Sequence, residues 1–265
     1  MAVLNLSSVT LVCVETRDPM IAEWAIKRCL QGVQFAKVIL FTDLERIDTR
    51  QPGIEYVQAP SIQNTKDYSL FLLHGLDLHI HTSHVLITQW DSFIIHPELW
   101  QDHFLGYDYI GPVWPHHPQT PVGNGGFSLR SKRLLQAIKL PGFIPKHPED
   151  YCMVAENKYF LEAQGIKIAP VEVAETFAVE RSIWHKAFGF HGFFNFSRVL
   201  DDQELRKLLP LLPESVFMGL DSYDLVAQLR IQGRVEMARE IARRIVFRWK
   251  MRRYFIKLKL WLLES

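Results

Sequence analysis

The stretch Val85-Leu-Ile-Thr-Gln-Trp-Asp-Ser-Phe93 decides how the rest of the chain is read. Residues 85–88 are β-branched or aliphatic, the pattern of a strand buried on both faces. The run stops at Gln89 and delivers one carboxylate, Asp91, flanked by Trp90 and Ser92. In open α/β sheets, ligands bind in the crevice beyond the carboxyl ends of the strands. A hard carboxylate oxygen there suits Mg or Mn carrying phosphate. An aspartate closing a turn after a strand carries the same local signature, so the neighbouring stretches have to choose between the two.

Towards the N-terminus the pattern alternates. Residues 9–14, 37–43 and 54–57 read as strands. Pro19 opens a helix closed near Gly32, and residues 68–78 form a second helix with apolar Leu72, Leu73 and Leu76. Strands alternating with helices imply right-handed βαβ units and a mostly parallel sheet. Three of these strands end in polar clusters: Glu15-Thr16-Arg17, Thr42-Asp43 and Gln89-Trp90-Asp91. Together they lay out a nucleotide-sized site along one sheet edge. No P-loop and no GxGxxG follows the first strand, so phosphate falls to a metal or to basic groups. Arg17 and Lys66 are the candidates, and each reads equally well as solvated surface charge.

Composition limits the class. Of 265 residues, 48% are hydrophobic and 22% charged, as in globular proteins. Cys13, Cys29 and Cys152 are odd in number and widely spaced, which points to a reducing, cytoplasmic setting and away from zinc or a disulfide framework. No basic segment precedes the first apolar run, so no signal peptide is expected, and no stretch has the length of a membrane span. The net charge of +1 hides an asymmetry: residues 234–265 hold ten Lys and Arg against three Glu.

The middle of the chain carries the stretch Pro121-Val-Gly-Asn-Gly-Gly-Phe-Ser-Leu-Arg130. Gly123, Gly125 and Gly126 are expected to take positive φ and let the backbone approach a ligand, with a strand at 127–130 entering a helix at 131–138. His147-Pro-Glu-Asp150 then precedes a helical pattern through Met153, Val154, Phe160 and Leu161. Acidic residues after a proline suit a helix start for dipole reasons alone. They equally suit a general base, which needs a rigid mount within reach of a hydroxyl. Residues 166–173 are expected to be strand, and Phe188-Gly-Phe-His-Gly-Phe-Phe194 a mobile loop presenting His191 between aromatic walls.

The composition changes beyond Asp201, which predicts a domain at 1–200 and a helical extension at 201–265. Val235, Ala238, Ile241, Ala242, Ile245 and Trp249 form one apolar stripe, with arginines away from it. Further on, Tyr254, Phe255 and Trp261 mix with Arg252, Arg253, Lys257 and Lys259. A basic helix with aromatic residues suits an anionic membrane surface on the inner face, and it also suits packing on the domain or a dimer contact. Nucleic acid is not expected, since no partner motif accompanies the basic residues.

In their order along the chain, Gln89-Trp-Asp-Ser-Phe93, Tyr107-Asp-Tyr-Ile-Gly-Pro-Val-Trp114, Val122-Gly-Asn-Gly-Gly-Phe-Ser-Leu-Arg130, His147-Pro-Glu-Asp150 and Phe188-Gly-Phe-His-Gly192 resemble a bacterial family of glycosyltransferase-like domains of GT-A fold, linked to polysaccharide and glycoconjugate synthesis. The resemblance implies a Rossmann-like, mostly parallel sheet flanked by helices, acting on a nucleotide-sugar (UDP-sugar first) and a glycan or lipid-linked acceptor, with inversion. It places Asp91 at the last carboxylate of a DxD metal motif and His191 at the late metal-binding histidine, for Mn or Mg. Glu149 and Asp150 fall on the acidic pair, with Asp150 the base. Gly125 and Gly126 shape the pocket, and Glu15, Thr16, Arg17, Lys66, Gln89, Trp90 and Ser92 join Asp91 on the donor side. Gln89 stands where the first Asp of DxD would be, and Glu15-Thr16-Arg17 replaces a glycine-rich loop. A nucleotidyltransferase, and an inactive GT-A-like module that binds glycans or scaffolds a membrane complex, are the alternatives.

Overall fold

The computed structural model describes residues 3–263, apart from the side chains of Trp249 and Leu263. Residues 1, 2, 264 and 265 of the two segments expected above, and the Trp249 end of the apolar stripe, therefore lie outside the description. Contacts divide the chain into Met1–His191 and Gly192–Ser265.

The first unit is mixed α/β, with strands β1 (Leu4–Val14), β2 (Val33–Thr42), β3 (Glu55–Gln58) and β4 (His84–Thr88). Helix α1 (Pro19–Cys29) joins the first pair of strands, and α2 (Thr65–His74) with a short turn at Leu76–His79 leads into β4. After β5 (Ser92–Ile94) and β6 (Tyr109–Ile110), β7 (Phe127–Ser131) enters α3 (Lys132–Ala137). The main sheet has the order β3-β2-β1-β4-β7-β6. β1 to β4 pair in parallel, and β7 runs against both of its neighbours. Val12, Val14, Ile39, Phe41, Val85 and Ile87 share one sheet face and pack with Phe71, Leu72 and Leu135 from α2 and α3. Leu11, Cys13, Leu40 and Leu86, on the opposite face, are buried as completely. Burial on both faces explains why these strands read as uninterrupted apolar runs.

Beyond α3 come α4 (Glu149–Tyr151), which passes into a π turn at Cys152–Glu156, α5 (Lys158–Ala163), α6 (Val171–Phe177), β8 (Ala178–Val179) and β9 (Gly189–His191). Two expectations are corrected here. Residues 171–173 are the first turn of α6 and not strand, because Pro170 presets the backbone and its carbonyl accepts the amides of Val173 and Ala174. Of residues 166–170, only Ile168 bridges to β6, through Tyr109. His191 sits on a strand and not on a mobile loop. β9 pairs with β5 and β8 in a second sheet, and Phe190 holds it there edge-on to Phe93 at 4.7 Å.

The second unit is helical: α7 (Phe196–Val199), α8 (Asp202–Leu208), α9 (Leu220–Ile231), α10 (Val235–Arg244) and α11 (Arg252–Leu263). Asp201 and Glu204 form a reciprocal cap on α8, an arrangement typically worth about 1 kcal/mol. α10 buries Met237, Ala238, Ile241 and Ala242 and packs on α9. The apolar stripe is not one continuous helix, since the backbone turns extended at Ile245. α11 seats Trp261 under the Arg230 guanidinium at 4.3 Å and Tyr254 beside Tyr223 at 5.8 Å. Its other side leaves Ile256, Leu260, Arg252, Arg253, Lys257 and Lys259 exposed. Among the described residues no helix is long and apolar enough to cross a membrane. Cys13, Cys29 and Cys152 are free and buried, and burial pushes the Cys29 thiol up to about 11.

Candidate functional site

Parallel register sets Cys13 of β1 opposite Thr88 of β4, so Glu15-Thr16-Arg17 and Gln89-Trp90 emerge side by side. They line a cavity of about 440 Å³ together with Asn64, Thr65 and Tyr68. Glu15 folds its own loop: Oε1 accepts the amides of Arg17 at 2.8 Å and Asp18 at 3.3 Å. The Arg17 side chain stays largely in solvent, with Nε 3.5 Å from Glu15. Asn64 caps α2 by accepting the amides of Lys66 and Asp67 at 2.9 and 3.0 Å. Lys66 itself is exposed in the first turn of α2 and does not line the cavity.

Asp91 lies between β4 and β5 and is buried. Because Ser92 pairs with His191, the imidazole comes alongside it: Nε2 is 3.5 Å from Asp91 Oδ1 and 3.3 Å from Gln89 Oε1. Glu180 meets the other ring nitrogen, Nδ1, at 3.0 Å. A carboxylate only accepts, so Nδ1 carries a hydrogen, and Nε2 is the ring atom that faces the oxygens of Asp91 and Gln89. Gln89 is oriented by its amide nitrogen, which donates to the Tyr68 hydroxyl at 3.0 Å. Two acceptor oxygens thus converge on one ring nitrogen, an arrangement that a proton on Nε2 or a divalent cation between the three atoms would stabilise. Among the described residues no group of three or more His, Cys, Asp or Glu side chains is placed to hold a metal ion. Asp91 and His191, with the neutral Gln89 oxygen, are the groups at this point that could contribute to holding one.

The glycine-rich turn works differently from expectation. Positive φ falls on Asn124, at 60°, and on none of Gly123, Gly125 and Gly126. Asn124 tolerates that conformation, and its side-chain oxygen accepts the Gly126 amide at 2.8 Å. The glycines provide room. A Cβ on Gly126 would lie 2.2 Å from His191 Nε2, and one on Gly125 2.3 Å from Glu149 Oε1. Ser92 locks the turn from the other side, donating to the Gly126 carbonyl at 2.7 Å.

The acidic pair divides its two carboxylates between two environments. Glu149 points inward, 3.1 Å from Arg130 Nη2 and accepting from Ser69 Oγ at 2.9 Å. Arg130 is fully buried, with its guanidinium over the Tyr109 ring at 5.6 Å. Asp150 accepts the Gly125 amide at 2.9 Å and the Tyr151 amide at 2.8 Å. Burial raises its carboxyl above the ordinary value and the Glu149 charge adds to this, while the two amides and Arg130 oppose it. A raised carboxyl that is mostly buried yet still reaches the surface matches what a general base requires. Consecutive Cα atoms are about 3.8 Å apart, so Gly125 and Gly126 hold Asp150 within roughly 10 Å of the His191 ring.

Sequence reading missed Glu180, Tyr68, Asn64 and the Arg130–Ser69 support of Glu149. Asn64 had a signal, a cap residue ahead of a helical run. The others are joined only through the fold.

No curated protein matches the sequence. Among solved structures, the chain is similar to a mannosyltransferase from Pyrobaculum calidifontis, PcManGT, in complex with GDP-Man and Mn2+. That match has 12% identity and a TM-score of 0.45, covering 97% of this chain and 87% of the other. A glycosyltransferase involved in glycosylation of the major capsid of PBCV-1 matches at 10% identity and TM-score 0.40, over 69% and 91% of the two chains. S. aureus TarS 1–349 matches at 12% identity and TM-score 0.34, over 95% and 78%. Residues 51–191, more than half of the chain, match the family described as Protein of unknown function (DUF5672), and the chain belongs to that family.

Proposed function

We propose that the chain is an inverting, nucleotide-sugar-dependent glycosyltransferase of the GT-A kind. The observation that carries this reading is the Gly125–Gly126 backbone. It presents Asp150 on one side and the His191–Asp91 pair on the other, beside a nucleotide-sized cavity at the ends of β1 and β4. The cavity takes the nucleotide, with Trp90 and Tyr68 as its aromatic surfaces and Arg17 free to swing towards phosphate. Asp91 and His191, with the Gln89 oxygen, would hold Mn or Mg. Bound there, the cation supplies neutralisation of the charge on the departing diphosphate. Asp150 removes the proton of the acceptor hydroxyl, the acceptor oxygen bonds to the anomeric carbon, and the bond from that carbon to the diphosphate breaks. The proton ends on Asp150 and the electron pair on the nucleoside diphosphate. Glu180 keeps the His191 ring in one tautomer, and Arg130 with Ser69 keeps Glu149 inside, so that Asp150 alone faces the acceptor.

The test is release of nucleoside diphosphate from a panel of UDP- and GDP-hexoses and pentoses. One donor should be consumed, and its consumption should depend on Asp91. A panel left intact in the presence of glycan acceptors and Mn would sink the reading.

The acceptor is proposed to be a glycan or lipid-linked sugar met at an anionic membrane surface through α11. Four exposed cations and two exposed aliphatic side chains on one side of that helix suit this surface, each charge being worth about 1 kcal/mol. The protein should sediment with phosphatidylglycerol vesicles and not with phosphatidylcholine vesicles, and salt should weaken the binding. Equal sedimentation with both, or with neither, removes the membrane role.

A further inference from the structure

Beside Asp150 lies a group of rings that the proposed chemistry has not used. Val113 and Val122 bridge across a short hairpin, and Trp114 closes it by donating its amide to the Pro121 carbonyl at 2.7 Å. The ring of Trp114 meets His117 at 5.2 Å and Tyr151 at 6.4 Å, and His117 meets Tyr151 at 5.8 Å. Each of the three rings therefore touches the other two. Trp114 is almost completely buried at 9% exposure, and Tyr151 stands out at 37%. Among the described residues, the Tyr151 hydroxyl and the His117 ring nitrogens have no hydrogen bond to protein. The result is an aromatic floor with polar tips.

Its position is set by the same atoms that hold the base. A Cβ on Gly123 would lie 2.2 Å from the Trp114 ring, so the indole lies directly on the turn that runs to Gly125. The Gly125 amide holds one oxygen of Asp150 and the Tyr151 amide holds the other. From Gly123 to Gly125 the backbone spans at most about 7 Å, so the indole and the base lie at neighbouring positions of one turn.

We propose that His117 and Tyr151, backed by the buried Trp114 indole, form an acceptor subsite that stacks against the apolar C–H face of a pyranose and sets one of its hydroxyls at Asp150. A pyranose has one face of C–H bonds and a rim of hydroxyls. An aromatic surface carrying a phenol and an imidazole at its edge complements both. The inference rests on the glycosyltransferase reading for the role of Asp150, and it adds the chemical class of the acceptor: a glycan whose terminal residue offers a C–H face.

The test is saturation-transfer NMR on the full chain, with methyl β-D-glucopyranoside and methyl β-D-galactopyranoside as probes and acyclic sorbitol as the control. UDP and GDP binding is measured on the same samples. Saturation should appear on the ring C–H protons of a pyranoside and not on sorbitol. It should fall about fivefold or more in Tyr151→Ala, the loss of one aromatic contact, and persist in Tyr151→Phe. Pyranoside signals no stronger than those of sorbitol, or signals undiminished in Tyr151→Ala, would overturn the subsite. Nucleotide binding without pyranoside binding rejects the subsite and leaves the transferase standing. Pyranoside binding without either nucleotide keeps the aromatic floor and rejects the transferase.

Discussion

Asp150→Asn is expected to lower kcat by roughly 10²–10⁴-fold, the usual worth of a positioned general base, while nucleotide binding persists. Burial and then the Glu149 charge raise the Asp150 carboxyl. If Asp150 is the base as proposed, the ionised form is the active one, so the rate should climb with pH through that raised pKa, and the acid limb of kcat/KM should lie above the range of an ordinary carboxylate. For stability the sign runs the other way. A group that holds its proton more tightly in the folded chain contributes fully below its unfolded pKa, and that contribution is lost as pH rises through the folded value. Asparagine carries no charge to bury but can accept only one of the two backbone amides, so the two effects oppose each other and the thermal midpoint at neutral pH should change little while activity falls. A kcat within about threefold of the parent would remove Asp150 as the base.

The largest stability effect belongs to the carboxylate next to it. Glu149→Leu leaves the fully buried Arg130 guanidinium without its partner at 3.1 Å, and breaking a buried pair on one side costs about 3–5 kcal/mol. Urea unfolding should show that loss. Arg130→Met combined with Glu149→Leu should recover much of it, since apolar replacement of both partners removes the stranded charge. A single variant within about 1 kcal/mol of the parent would mean that Arg130 reaches solvent or finds another acceptor.

These two predictions concern neighbours in the sequence whose roles only the fold separates. Glu149-Asp150 was legible as an acidic helix start, but which carboxylate faces inward depends on Arg130, 19 residues earlier, and Ser69, 80 residues earlier. The parallel sheet was legible because strands buried on both faces leave long apolar runs, as in residues 85–88. Residues 171–173 misled, since three residues with two valines score as strand unless Pro170 is read as a helix opener. Residues 188–194 misled for a related reason. Glycines and phenylalanines suggest a loop, yet Phe188 and Phe190 are fully buried and draw the segment into a sheet. At the glycine-rich turn the residue types were informative, but positive φ belongs to Asn124 and the glycines make room for His191, Glu149 and Trp114. Glu180 left no mark in the sequence. Its contact with His191 depends on β8 and β9 pairing, a register that no local pattern announces.

Under the proposed function, the ends of β1 and β4 bind a nucleotide through the pair Asp91 and His191. Calorimetric titration of UDP and of GDP into the protein, with manganese present and absent, tests it most directly. One nucleotide should bind, manganese should tighten the binding, and Asp91→Ala should abolish the gain from the metal. Binding of neither nucleotide under either condition would contradict it.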